Sequence, residues 1–327
     1  MNELRRRAAR SALLWGGLVV SGVFAYLAVR DVRWAEVWRA LRTSNYWWLV
    51  PAFLTLAFAN VLRARRWQSM FERGRRPSFA PTLEAMLVGQ FFNNILPARA
   101  GEAARIVVLH RRARASRAET TATVVLERAF DVFSLLVLLF VLLPWFPAVS
   151  WLRAAAVLAI GLTGALALAT LVLARFGERP LRLALRPLAL LPFLTDERVE
   201  RASGNLARGL AGLRRPRVAA AALFWTIASW LAIAVSNWVL MLGFDLGLSA
   251  AAGLLVAIAT GLGMIIPSAP GAVGVFEAAT LVALSAYGIP DAQALSYALV
   301  LHAMNLLPYL AAGAVVLRLH RVVLRSP

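Results

Sequence analysis

The sequence contains neither cysteine nor lysine, so its 35 Lys/Arg positions are all arginine. The absence of cysteine excludes disulfide bonds, iron–sulfur clusters and thiolate zinc sites. The three histidines do not form an H-E-x-x-H spacing, and we therefore expect no metal and no other cofactor. A nucleotide-binding loop of the G-x-x-x-x-G-K-[ST] type is also missing, which argues against an ATP-driven pump.

Hydrophobic residues make up 61% of the 327 residues, and the mean hydropathy is +0.70. Soluble domains are nearer half apolar, whereas here several apolar runs exceed the roughly 18 residues that suggest a bilayer-spanning helix. Backbone that faces lipid must satisfy its hydrogen bonds internally, so these runs are expected to be helices. The sequence therefore predicts an all-α polytopic membrane protein, with residues 1–327 as one membrane domain.

Two kinds of apolar segment are present. Two segments, about 82–110 and 250–287, each contain an apolar run, a break with proline and glycine, and a second run that is too short to span a bilayer. We predict that these are re-entrant hairpins. About six full transmembrane helices are expected at 11–29, 46–62, 118–143, 152–174, 218–242 and 292–317.

The distribution of arginine predicts the orientation of the chain. Cytoplasmic loops are the basic ones, so we expect both termini in the cytoplasm and an uncleaved first helix. The first hairpin would then enter from the cytoplasm and the second from the opposite side, as in an inverted repeat. Four arginines at 30–45 do not fit this orientation, and helical spacing of the apolar residues there suggests an interfacial helix. The stretches 1–10, 63–80, 101–117, 175–217 and 318–327 hold 28 of the 35 arginines.

The net charge of +19 fits contact with anionic lipid headgroups. We do not expect a nucleic-acid partner, because no module that combines aromatic and basic residues occurs between the spans. The longest polar connection, about 176–217, is predicted to be cytoplasmic. Its leucine stripe indicates either a surface helix under the bundle or a docking site for a partner.

The two predicted hairpins share the pattern I-[LI]-P-x-x-x-G at their breaks, in ILPARAG and IIPSAPG. A half-helix that begins inside a bilayer has unsatisfied N–H groups and a partial positive charge at its first turn, which favours an anion. The prolines expected to break the helices are Pro97, Pro267 and Pro270. The candidate substrate-binding residues are Asn94, Arg99, Gly101, Glu102, Arg105, Gly271, Gly274 and Glu277.

A second charged cluster, Glu127, Arg128 and Asp131, lies near the middle of the predicted 118–143 helix. Ionisable residues at this depth face the bundle interior and indicate function by default. The alternative is a static network of ion pairs. Simple structural roles also remain open for Glu102 with Arg105 as a pair and for Glu277 as a dipole partner. His302 is interpreted as a packing residue.

Three motifs together resemble the lysylphosphatidylglycerol synthase transmembrane, or flippase-like, family, and their spacing covers nearly the whole chain. The family includes proteins in which such a region flips an aminoacylated phospholipid made by a fused cytoplasmic domain, and no fused synthase domain is expected here. The resemblance implies lipid translocation rather than synthesis, and the same hairpin and cluster residues as functional positions. The motifs are GQFFNNILPARAGEAARIVVL (89–109), VVLERAFD (124–131) and IPSAPGAVGVFEA (266–278).

We therefore expect a non-enzymatic lipid translocase in the bacterial or archaeal inner membrane. Its cargo would be an anionic phospholipid or a polyprenyl-phosphate-linked glycolipid, with Arg99 and Arg105 binding the phosphate. Glu127 or Glu277 would carry a coupling proton if burial raises its pKa. The alternatives are an enzyme or accessory subunit of lipid-linked sugar modification, a scaffold for lipid-modifying enzymes, and a small-solute transporter. A homo-oligomer is a further possible assembly.

Overall fold

The computed structural model describes residues 2–71, 73–96, 99–155, 216–266 and 268–319, together with 157, 161 and 164. Every regular element within these residues is helical. The α-helices of the described part are α1 (Asn2–Val29), α2 (Trp34–Thr43), α3 (Leu49–Ser69), α4 (Phe79–Ile95), α5 (Gly101–Ala113), α6 (Arg117–Val141), α7 (Pro216–Gly243), α8 (Ala250–Gly263), α9 (Val275–Ser285) and α10 (Asp291–Leu319).

Three of the described helical segments are long and apolar enough to cross a membrane. They correspond to the predicted spans at 46–62, 218–242 and 292–317. The first two helices, α1 and α2, pass the same test only together, as a pair bent by 81°, which raises the number of candidate spans to four. The three single segments are Tyr46–Ser69, Arg217–Gly243 and Asp291–Leu319.

The α2 helix has the shape expected of an interfacial helix. It turns almost at a right angle from α1, and its two tryptophans, Trp34 and Trp38, are exposed. The opposite side of α2 is anchored, because Val37 is buried against Ala292 and Leu295 at the start of α10. A helix with this geometry lies along the membrane surface if α1 crosses the bilayer.

The charged helix predicted at 118–143 is present as α6. Ser116 caps its amino end by accepting a hydrogen bond from the backbone N–H of Glu119. Its 25 residues extend about 37 Å at 1.5 Å per residue, long enough to span. Because α6 contains several charged residues, it is not one of the three apolar candidates for a membrane span. Most of the predicted span 152–174, and all of the connection 176–217 except its last two residues, lie outside the described residues.

The carboxyl end of α3 differs from the sequence prediction. We placed the end of the span at residue 62 and a basic loop at 63–80, but the helix continues to Ser69. Arg66 and Trp67 are fully buried in this extension. The predicted end of the span was wrong because Arg66 forms ion pairs with buried carboxylates on α6, so its charge does not have to remain in water.

The two segments predicted as re-entrant hairpins each form a helix–break–helix unit, called here the first and second hairpin. In the first, α4 lies against α5 so closely that a Cβ added to Gly101 would be 1.8 Å from the carbonyl oxygen of Gly89. Only glycine permits such a backbone contact. In the second, α8 packs against α9, and Pro270 opens a short 3-10 turn within the break. Pro97 and Pro267 lie outside the described residues.

The hairpins meet each other beside α10. The turn Pro270–Ala272 of the second break packs against α4, and a Cβ added to Gly271 would lie 3.7 Å from the carbonyl oxygen of Asn94. Gly274 has a φ of 87° and is so close to α1 that a Cβ there would be 2.4 Å from the carbonyl oxygen of Ser21. These contacts bring the two breaks, separated by 170 residues in the chain, to one place in the fold.

Candidate functional site

A cavity of about 670 Å³ lies where the two helix breaks meet. Its volume is in the range of about 300–1,000 Å³ that is typical of ligand-binding cavities. Residues of both hairpins and of α1, α3, α6, α7 and α10 form its walls. The charged side chains of the wall, apart from His302, are Arg63, Arg66, Arg99, Glu102, Arg105, Glu127, Arg128 and Asp131.

Arg66 is the centre of a buried ion-pair network. Its guanidinium contacts Glu127 at 2.9 Å and Asp131 at 2.5 Å, and its side chain is only 1% exposed. The indole N–H of Trp230 on α7 also donates to Asp131, at 3.2 Å. Charges removed from water in this way are stable only when they are paired and hydrogen-bonded. The pairing therefore fixes α3, α6 and α7 to one another.

Arg105 connects the first hairpin to this network. Its Nη1 lies 3.2 Å from Glu127, and its Nε lies 2.7 Å from Glu102 on the same helix. The guanidinium also stacks over the ring of Trp67, 4.8 Å from the centroid. Its Nη2 is buried without a hydrogen-bond partner. Arg105 is thus already neutralised by two carboxylates, and one of its nitrogens remains available to an acceptor.

Arg128 is the most exposed member of the network, with 44% of its side chain accessible. It lies 2.8 Å from Glu102, 3.5 Å from Asp131 and 3.6 Å from Glu127. One arginine is therefore within reach of three carboxylates, one on α5 and two on α6. An arginine with several nearby acceptors can change partners over a small distance.

Two further arginines give the cavity an excess of positive charge. Arg63 stacks over the ring of Trp230, 5.2 Å from the centroid, and Arg99 occupies the first break with a left-handed φ of 53°. Among the described residues, no carboxylate lies within 4 Å of either guanidinium. Five arginines therefore face three carboxylates, and this described part of the wall has a net charge of +2.

The second break contains a separate polar cluster around Glu277. One carboxylate oxygen accepts from the backbone N–H of Gly274 at 2.7 Å, which caps α9. The other lies 2.5 Å from Nδ1 of His302 on α10, and Nε2 of His302 lies 2.8 Å from the carbonyl oxygen of Gly271. His302 and Gly271 line the cavity, while Glu277 lies behind them.

The structure brings most of the predicted site residues to this cavity. Glu127, Arg128 and Asp131 lie in one network, as the sequence predicted, and Glu102 and Arg105 form a pair. Gly101 and Gly274 do not line the cavity, because they make the close backbone contacts that hold the hairpins. The predicted residues in the cavity wall are Asn94, Arg99, Glu102, Arg105, Glu127, Arg128, Asp131, Pro270 and Gly271.

Sequence reasoning missed Arg63 and Arg66 because it treated them as part of a loop. A signal was available in the spacing of α3. Buried Ala52, Leu56 and Ala59 recur at intervals of four and three residues, and the same alternation continues to 63 and 66. This spacing places both arginines on the inward face of the helix.

Comparison with protein families now gives a match over residues 14–313 to the family described as lysylphosphatidylglycerol synthase TM region. The chain belongs to this family. The matched range includes both hairpins, α6 and every cavity-lining residue named above. The resemblance predicted from the three motifs is confirmed, and a search of curated proteins finds no match.

Membership of the lysylphosphatidylglycerol synthase TM family agrees with the apolar helices. Together they identify a multi-pass membrane protein with a lipid-related role. Most of the buried charged side chains among the described residues lie in the cavity wall, within the residues that match the family.

Proposed function

We propose that this protein is a lipid translocase of the cell membrane, with no enzymatic activity of its own. The cargo is an anionic phospholipid or a polyprenyl-phosphate-linked glycolipid, whose phosphate enters the cavity between the hairpins. The observation that carries the proposal is the excess of arginine in this cavity, where neither Arg63 nor Arg99 has a described carboxylate within 4 Å. Arginine is the side chain best suited to bind phosphate with two parallel hydrogen bonds.

The apolar side of the cavity supports a lipid rather than a small solute. Leu18, Leu96, Met264 and Ile265 line the same cavity as the arginines, yet each is between 39% and 51% exposed. An amphipathic cargo can place its headgroup against the charged wall and leave its hydrocarbon chains along these side chains. A transporter of small polar solutes has no use for an exposed apolar wall.

Partner exchange by Arg128 provides a mechanism for movement. A phosphate that binds Arg99 and the free Nη2 of Arg105 competes with Glu102 for positive charge. Arg128 can then turn from Glu102 towards Asp131, which lies 3.5 Å away. Because Glu102 belongs to the first hairpin and Arg128 to α6, this exchange would remove one of the two ion-pair links between them and leave the pair of Arg105 with Glu127.

The proposal includes two oppositely inserted re-entrant hairpins and cytoplasmic termini. The exposed Trp47 before α3 and Trp145 after α6 lie where an interfacial belt would be, and the orientation itself rests on arginine, which marks the cytoplasmic side. The arginine-rich turn between α5 and α6 lies at the opposite end of α6. The native chain has no cysteine, so Ala98→Cys and Ala269→Cys can be labelled without background. Labelling of both from the same side of the membrane would overturn the opposed insertion.

Transbilayer movement of labelled lipids in proteoliposomes tests the proposed function. The panel contains anionic, zwitterionic and aminoacylated lipids, and wild type is compared with Arg63→Gln and Arg99→Gln. Arg42→Gln is the matched control, because Arg42 is exposed on α2 and lies outside the cavity. We expect wild type and the control to move the anionic lipids fastest, and both cavity variants to be slower.

The outcomes separate the function from the site. If no lipid in the panel moves faster than in protein-free vesicles, translocation of these lipids is excluded. If anionic lipids move equally fast in all four proteins, the protein is a translocase but the two arginines do not bind the cargo. Faster movement of aminoacylated than of anionic lipids would contradict the charge argument.

A further inference from the structure

His302 is held between two acceptors at the point where the second break meets α10. Its Nδ1 lies 2.5 Å from Glu277 and its Nε2 lies 2.8 Å from the carbonyl oxygen of Gly271. The imidazole stacks on Phe276 at 4.5 Å, which fixes the plane of the ring. His302 and Glu277 are both buried, at 8% exposure each. The ring therefore has little freedom to find other partners.

The hydrogen-bond partners determine how many protons this pair holds. A carbonyl oxygen only accepts, so Nε2 must carry a proton to bond Gly271. The contact between Nδ1 and the carboxylate needs a second proton, located on either atom. His302 and Glu277 thus share two protons and have no net charge, as an imidazolium–carboxylate pair or as neutral imidazole with a carboxylic acid.

Loss of one proton leaves a contact that cannot be maintained. A neutral histidine has one N–H, and it can donate either to Glu277 or to Gly271. The ionised carboxylate is the stronger acceptor, so the remaining proton moves to Nδ1. The lone pair of Nε2 then faces the lone pairs of the Gly271 carbonyl, and this contact becomes repulsive. The tether between α10 and the second break is lost.

Other ionisable groups occur on several of the elements around His302. Within the described residues, the break and α8 present none, and Glu277 is the ion-pairing partner of His302. Arg63 and Arg66 of α3 line the same cavity as His302. Others on neighbouring elements are Glu84 on α4, Arg217 on α7, Tyr26 among the described side chains of α1, Glu36, Arg39 and Arg42 on α2, and Asp291, Tyr297, Tyr309 and Arg318 on α10 itself.

We propose that His302 and Glu277 form a proton-binding site whose deprotonation frees the second break and opens the cavity. A role of this site in driving transport rests on the proposed function, the translocation of lipid. The site itself does not, because its proton and its effect on the break can be measured without any lipid cargo. Proton binding therefore offers this chain a source of energy that needs no nucleotide.

Nitrogen-15 NMR of histidine tests the protonation directly in the full-length protein. The chain has three histidines, so a spectrum of ¹⁵N-histidine-labelled protein in detergent is simple, and His302→Gln assigns the signal. We expect Nε2 of His302 to be protonated at acidic pH and to lose its proton to become the Nδ1–H form at alkaline pH. An Nε2 that stays protonated, or that is unprotonated throughout, would overturn the proposal. His110→Gln, a change in α5, is the control that should leave the His302 signal unchanged.

Thiol accessibility tests the consequence for the break. The labelling rate of the cysteine in Ser268→Cys is measured against that of Ser285→Cys, which places a cysteine at an exposed site. Dividing the first rate by the second removes the increase with pH that every thiol shows as it ionises. We expect this ratio to rise about tenfold with pH, the factor that corresponds to one hydrogen bond of ordinary net strength.

Glu277→Gln provides the decisive comparison because glutamine supplies one acceptor and one donor. Its carbonyl oxygen accepts from Gly274 and its amide donates to Nδ1 of His302, so Nε2–H stays on Gly271 without the shared proton. The labelling ratio should then be low at every pH. The proton site is refuted if the ratio rises with pH in Glu277→Gln, or if it is constant with pH in the protein that keeps Glu277. Neither result would change the outcome of the lipid translocation assay.

Discussion

Replacing Arg66 by methionine should unbalance the charge network around it. The six residues Arg66, Arg105, Arg128, Glu102, Glu127 and Asp131 contain three positive and three negative charges. Arg66→Met keeps a similar buried volume but leaves the cluster with a net charge of −1. The two carboxylates that lose this partner are 4% and 10% exposed, so water cannot replace it.

The expected loss of stability follows from the contacts that remain. Removing one partner of a buried ion pair typically costs about 3–5 kcal/mol. Here Glu127 keeps Arg105 at 3.2 Å, and Asp131 keeps the indole of Trp230 at 3.2 Å. We therefore expect a loss of about 3 kcal/mol, near the lower limit. Adding Asp131→Asn restores neutrality, and the double variant should regain about 1–2 kcal/mol relative to Arg66→Met alone.

Thermal unfolding of the purified proteins in detergent measures both effects side by side. A loss of about 3 kcal/mol corresponds to a fall of roughly 4–5 °C in the midpoint for a chain of 327 residues. Arg65→Met is the matched control, because Arg65 is exposed and stacks on Phe79 rather than on the network. A midpoint for Arg66→Met equal to that of Arg65→Met would refute the reasoning, as would further destabilisation by Asp131→Asn.

Three further predictions concern other variants, which are tested by thermal unfolding, lipid movement or lipid binding. Gly101→Ala should lower the unfolding midpoint, since its Cβ would overlap a backbone oxygen, whereas Gly22→Ala, with no atom within 4 Å of the new Cβ, should not. Arg128→Gln should slow lipid movement strongly but cost only about 1 kcal/mol of stability, because Arg128 is partly exposed. Arg99→Gln should weaken the binding of an anionic lipid about tenfold, measured by titrating the protein with the lipid, without changing the midpoint of thermal unfolding.

The parts of the fold that depend on local sequence could be predicted. Each hairpin break contains proline and glycine within seven residues, and these restrict the backbone whatever surrounds it. The spacing of Glu127, Arg128 and Asp131 places them on neighbouring turns of any helix. Both features follow from residues near each other in the chain, and the structure contains both.

The parts that depend on distant contacts could not be predicted from spacing alone. Arg66 is buried because of Asp131, which is 65 residues away in the chain, and no hydropathy window includes both. His302 was interpreted as a packing residue, yet it bonds Glu277 across 25 residues and Gly271 across 31. In each case the side chain acquires its chemistry from a partner on another helix.

The neutral network and the two additional arginines together agree with the proposed role as a lipid carrier better than with a site for tight binding. Most of the charge on Arg66, Arg105, Glu127 and Asp131 is already out of water, so a phosphate that replaces a carboxylate beside an arginine exchanges one buried ion pair for another. Such an exchange has a small net free energy. A cargo must be bound firmly enough to enter and weakly enough to leave, and internal carboxylates that compete for the same arginines supply that balance. A cavity lined by arginines alone would bind a phosphate more tightly and release it more slowly.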